Sequence, residues 1–191
     1  MAITPALSDQ DRRARRIGGA GWFVLALSVG AAALPWAGPR HGAGIIGIML
    51  GLAGVAEIVA GAVRHETRRL AMLAGAVTVA AGLLFWTDAA TQLLPAAYII
   101  MGWLVLRGAI LLTACFLERG SVRRWMGVAA ATDLALAMFL LLGLSIATLV
   151  VTLFGETPPL VASFAWIVAI SFISTGLLLL EVASCAREGD V

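Results

Sequence analysis

From Tyr98 to Leu117 the chain is predominantly apolar and carries one charge, Arg107, which stands well inside the run. A helix needs ~20 predominantly apolar residues to cross the hydrocarbon core of a bilayer, and this segment supplies them. A soluble core has no place for a run that long. Inside a bilayer every backbone N–H and C=O must be satisfied within its own segment or within a closed barrel. Composition extends the constraint to the whole chain. It is 61% hydrophobic and 13% charged, whereas a soluble domain is about 25% charged. The expected fold is an all-α membrane protein.

Six segments have the length of a span: residues 17–35, 42–63, 70–86, 93–117, 125–154 and 160–185. Residues 1–16 read as a polar N-terminal tail, 17–185 as the transmembrane domain, and 186–191 as a short polar C-terminal tail. The basic start and the small residues Gly30 to Ala33 also fit a signal peptide. The length of the apolar run and its pairing with the next span favour a first transmembrane helix. The fifth span is unusually long and is expected to tilt or to break near Gly143. Trp36, Trp86 and Trp125 suit interfacial aromatic belts.

All 13 basic residues are arginines. Eleven of them fall in the N-terminal tail, the loops after spans two and four, and the C-terminal tail. Only Arg40 lies in an opposite loop. The positive-inside rule then places both termini in the cytoplasm. A net charge of +2 gives no sign of nucleic-acid binding. Cys115 and Cys185 are read as small apolar residues. His41 and His65 are too far apart for a metal cluster, and no cofactor motif is present.

The arginines also reveal a repeat. Arg64-x-x-x-Arg68-Arg69 recurs 55 residues later as Arg119-x-x-x-Arg123-Arg124. The same shift carries Gly47 onto Gly102, Gly75 onto Ala130, Thr78 onto Asp133 and Gly82 onto Ala137. One offset fits loops and small-residue faces together. The unit is a two-helix hairpin, present three times and parallel in the membrane, and the three hairpins should close into one bundle. Small faces let helix backbones touch in a bilayer. Gly47, Gly51 and Gly54, with Gly44 and Gly61, form such a face on the second span, and Gly102 and Gly108 are assigned to packing on the fourth.

Three hairpins of this size, Gly102 and Gly108 spaced as Gly-x-x-x-x-x-Gly, and short arginine-rich loops resemble the HdeD-like acid-resistance membrane proteins. That family is a short membrane repeat of unknown function. The resemblance covers about residues 17–185 and implies a bacterial inner-membrane location and a link to acid stress. Pro35 matches the loop proline of the family, but Trp86-Thr87-Asp88 stands where a second would be.

Four ionisable residues lie within spans: Glu57, Arg107, Asp133 and Glu181. Measured up from the nearest arginine of the inner loops, Arg107 is about 18 Å deep, Asp133 about 14 Å, Glu57 about 10 Å and Glu181 about 9 Å. A lone charge at a helix centre costs at least ~2.5–3.5 kcal/mol, so each is a candidate site residue. Arg107 and Asp133 lie close enough in depth to form a buried ion pair. Glu57 and Glu181 are shallow enough to snorkel to the interface. Ser171, Ser174 and Ser184 are expected to form a polar stripe with Glu181.

Two functions fit these residues. The first is a small stress-protective membrane protein that acts on lipid or on partner proteins and is not an enzyme. The expected partners are the bilayer, anionic lipid headgroups at the arginine loops, and further copies of the chain or other membrane proteins. The second is a proton-linked channel or transporter that uses Glu57, Asp133 and Glu181, with Arg107 tuning them.

Overall fold

The computed structural model describes residues 4–34, 42–64, 67–87, 96–154 and 161–188. Expectations resting on Pro35, Trp36, Arg40, His41, His65 and Asp88 lie outside the described residues. The described chain forms six helices: α1 (Thr4–Ala33), α2 (Gly42–Ala62), α3 (Arg68–Trp86), α4 (Ala96–Leu117), α5 (Gly120–Phe154) and α6 (Val161–Glu188). Each contains a stretch long and apolar enough to cross a membrane. Among the described residues there is no strand. This is the architecture of a multi-pass membrane protein.

Its surface has the character of lipid solvation. Val55, Val59, Leu83, Leu106, Phe116, Phe139 and Ile173 are all exposed. In water, an apolar surface of that extent would drive association. The interior is partly polar, as the next subsection describes. Leu50, Ile100, Leu104, Val168, Phe172 and Val182 complete the buried core.

The six helices form a ring of antiparallel neighbours, and the tightest contacts are α2 with α3, α4 with α5, and α6 with α1. Glycines explain two of these. On α2 and α3, a Cβ built on Gly54 would lie 2.6 Å from the Val79 nitrogen and 2.7 Å from the Gly75 oxygen. Gly47 faces Gly82 and Gly61 faces Ala71 in the same manner. The two backbones therefore touch along three levels. Gly51 contributes through its backbone, which lies against Gly82. On α1 and α6 the meeting point is Gly21 with Gly176. The first and last helices thus close the ring.

Several boundaries differ from the expectation. Residues 4–16 are helical and continue α1. Ala14, Ile17, Gly21, Val24, Ser28 and Ala31 are buried at alternating spacings of three and four. One seam therefore starts among the arginines and runs the length of the helix. Exposed Arg15 adds a bond to Asp11 one turn earlier. Helix α5 runs through Gly143 without a break. Its 35 residues measure about 52 Å, well over the ~30 Å of hydrocarbon. The turn into it is short: Glu118 and Arg119 lead to Gly120, whose φ of 70° suits a residue without Cβ.

Gly102 does not pack a helix as its counterpart Gly47 does. It is exposed, and a Cβ there would meet nothing within 4 Å. It lines an apolar groove between α3 and α4, with Val77, Leu84 and Leu106. The physical reason is local. The fourth span makes its close approach to α5, through Gly108 against Ala130 and Leu134, and leaves Gly102 turned to the other side.

These two glycines give a paired prediction. Gly54→Ala drives a methyl into the α3 backbone and should lower stability by about 1–3 kcal/mol. Gly102→Ala enters open space and should be neutral or stabilising by up to about 1 kcal/mol. Thermal unfolding of both variants in one detergent checks the difference.

Candidate functional site

The centre of the bundle is built around Arg107 on α4, which is 1% exposed. Its guanidinium carries five N–H donors in a fixed plane, and each has an acceptor. Nε donates to Glu57 Oε2 at 3.5 Å and Nη2 to Glu57 Oε1 at 2.9 Å. Nη2 also donates to the Thr175 hydroxyl. Nη1 donates to Asp133 Oδ2 and to Ser171 Oγ, the latter at 3.4 Å. The acceptors come from α2, α5 and α6, so one side chain on α4 ties four helices together. Glu57 is gripped by two donors of one fork, the geometry that makes arginine–carboxylate pairs strong.

The acceptors are themselves held. Ser171 Oγ donates to Asp133 Oδ1 at 2.7 Å, which fixes the carboxylate in its plane. Thr175 Oγ1 donates to the Ser171 carbonyl at 2.8 Å, leaving its oxygen to face Arg107. Trp103, one turn from Arg107 on α4, places its ring centroid 6.0 Å from the guanidinium carbon. Its indole N–H donates to Thr78 Oγ1 at 3.1 Å, and Thr78 donates in turn to the Ala74 carbonyl at 3.0 Å. Through Trp103 the network reaches α3 as well.

The arrangement confirms one expectation and corrects two. Arg107 and Asp133 form the buried ion pair that their depths suggested. Glu57 does not snorkel to the interface; it turns inward and forms a second ion pair with Arg107. Both side chains are long, so together they span the helical turns that separate their backbones. The serine stripe does not exist as a unit. Ser171 joins the site, Ser174 is buried and bonds its own helix at the Ser171 carbonyl, and Ser184 is exposed. The helical period explains this: Ser184 is turned by roughly 140° from Ser171, whereas Thr175 is turned by only about 40°. Glu181 is half-buried and makes no ion pair with this cluster.

Sequence reasoning missed Thr175 and Trp103, and named Thr78 only as the repeat counterpart of Asp133. The Ser171-x-x-x-Thr175 spacing was a usable signal, since residues four apart share a helical face. Cys115 and Cys185 are free thiols. They are more than apolar filler: Cys115 Sγ donates to the Arg123 carbonyl at 3.3 Å, and Cys185 Sγ lies 3.2 Å from Ser121 Oγ.

A second buried arginine stands nearer the arginine-rich end. Arg64 follows the end of α2, where its N–H closes the last turn on the Gly61 carbonyl at 3.1 Å. Its side chain is buried. Burial pushes its guanidinium down to about 10, against the upward pull of Glu118 and Glu57. Beside it Thr67 Oγ1 donates to Glu118 Oε1 at 2.6 Å, joining the approach to α3 with the end of α4. Arg64 and Glu57 line a common cavity of about 20 Å³, together with Arg107, Thr175, Leu178 and Leu179.

Chemically, the centre holds two carboxylates against one guanidinium. Among the described residues no group of His, Cys, Asp and Glu has the geometry to hold a metal ion. The chain was compared with family models, curated proteins and solved structures, and none matches it.

Because Arg107 serves two acids, exchanging it with Asp133 is not expected to restore the fold. The exchange sets an aspartate against Glu57 and leaves that acid unpaired. Arg107→Leu alone should cost about 3–5 kcal/mol, the usual result of stranding buried charge. Combining it with Glu57→Gln and Asp133→Asn should recover much of that loss, because no ion then remains unpaired. Unfolding midpoints of the single and triple variants test this. A triple variant no more stable than Arg107→Leu would contradict the account.

Proposed function

We propose that this chain is a bacterial inner-membrane protein of the HdeD-like type, with both termini in the cytoplasm. It protects against acid stress through contacts with lipid and with partner proteins, and it turns over no substrate. The observation that carries this reading is the closure of the polar centre. All five donors of Arg107 are satisfied by neighbouring side chains. The adjoining cavity, about 20 Å³, has room for about one water. A site with its donors committed and no room for a solute is suited to fastening helices. Arginines 12, 13, 15, 16, 68, 69, 119, 123, 124 and 187 then face the anionic headgroups of the inner leaflet.

One observation favours a second reading, a proton-linked channel or transporter. The centre has one more carboxylate than it has guanidinium groups. A proton taken up there neutralises the excess charge, and this is how intramembrane acids serve in proton relays.

Proton flux into liposomes separates the two readings. The purified protein is compared with a Glu57→Gln, Asp133→Asn double variant that passes a folding check. The expected result is no flux above empty liposomes from either protein, with the variant less stable. Flux from the wild type that disappears in a folded variant would establish the transport reading in its place.

A further inference from the structure

The cavity between Arg64 and Glu57 has features that the helix-fastening role does not use. Arg64 is 5% exposed, yet its Nε has no hydrogen-bond partner among the described residues. A buried N–H left without an acceptor is costly. Such groups in native proteins usually answer to water or an ion. The cavity they share is lined by Glu57, Arg64, Arg107 and Thr175 on its polar side and by Leu111, Leu178 and Leu179 on the other. Its volume of about 20 Å³ exceeds the ~10–15 Å³ that one water needs, and admits little more.

The chemistry of the walls selects the occupant. An anion would meet the Glu57 carboxylate, and Arg107 has no donor left for it. A cation would meet two guanidinium groups. A neutral molecule that both donates and accepts satisfies both walls. Arg64 Nε–H offers a donor. The carboxylate oxygens of Glu57 keep lone pairs beyond those used by Arg107, and the Thr175 hydroxyl oxygen stands beside them. That gives the two to four polar partners that a buried water requires.

We propose that this cavity is a binding site for a single water molecule, held between Arg64 Nε–H and the Glu57 carboxylate. The water links the buried ion cluster to the aqueous phase at the arginine-rich end. The site is one-sided. Arg64 sits where α2 ends, so the site lies on the arginine-rich side of the ion cluster, near Glu118. Asp133 does not line the cavity. The link holds whether or not the protein carries protons, because it requires only hydration of Glu57.

Hydroxyl-radical footprinting in lipid nanodiscs tests the proposal. Radicals formed from a bound water oxidise the side chains around it, even when bulk solvent cannot reach them. Leu178 and Leu179, 3% and 4% exposed, line the cavity, whereas Leu136 and Leu140, 9% and 7% exposed, do not. The wild type should label Leu178 and Leu179 several-fold faster than Leu136 and Leu140, against the order of exposure. Arg64→Leu, which removes the donor, should bring Leu178 and Leu179 down to the level of the other pair. Arg64→Gln, which keeps an N–H, should preserve the labelling. Equal rates in the wild type would overturn the proposal. So would undiminished labelling in Arg64→Leu, and if that variant does not fold the wild-type comparison decides alone.

Discussion

A guanidinium in the middle of a bilayer is a severe demand on its surroundings. An isolated charge there is costly, and arginine does not shed its proton to escape the cost. Arg107 has to be met by acceptors in its own plane, on every side at once. The helices around it are placed to do this. Helix α2 brings Glu57, α5 brings Asp133, and α6 brings Ser171 and Thr175. Without the rest of the bundle α4 would carry an unpaired ion. The centre also discriminates between arrangements, since α2 rotated by one residue would present Ala56 or Ile58 where a carboxylate is needed.

The glycine contacts serve the same centre from the periphery. Where Gly47, Gly54 and Gly61 let α2 lie against α3, the pair behaves as one thick element, and the same holds for α1 and α6 at Gly21 and Gly176. With α4 and α5, which meet at Gly108, three close pairs surround the polar interior. The repeat supplies a scaffold with approximate threefold character, but the chemistry at equivalent positions is not repeated. Thr78 and Asp133 correspond in the repeat, and both are fully buried facing α4. One accepts a hydrogen bond from an indole, and the other holds an arginine.

Much of this was readable in the residues. Apolar runs and arginine loops defined six spans, and similar depths along consecutive helices paired Arg107 with Asp133. Reading depth along a helix is reliable because the rise per residue is constant. Rotation about the axis and the reach of long side chains were harder. Depth alone points Glu57 to the interface, because its backbone is about 8 Å shallower than that of Arg107. In the fold the two side chains close that distance. Ser184 and Ser171 look alike in a list of polar residues, but the helical period separates them. The seam that begins at Ala14 was hidden by four arginines, because a small residue among charges has no apolar signature of its own. The contact of α1 with α6 is between the two ends of the chain, and no local pattern announces it.

The order of the partners around Arg107 bears on how the protein is made. Synthesis proceeds from the N-terminus, so α4 reaches the membrane before α5 and α6 do. At that moment Asp133, Ser171 and Thr175 have not yet entered the membrane. Of the acceptors that later bond the guanidinium, only Glu57 is already in place. The acid that is second to Asp133 in a depth-based reading is therefore first in time, and it gives the nascent arginine helix an ion partner during insertion. The closing of α6 on α1 then ends assembly at the step that delivers the last two hydroxyls.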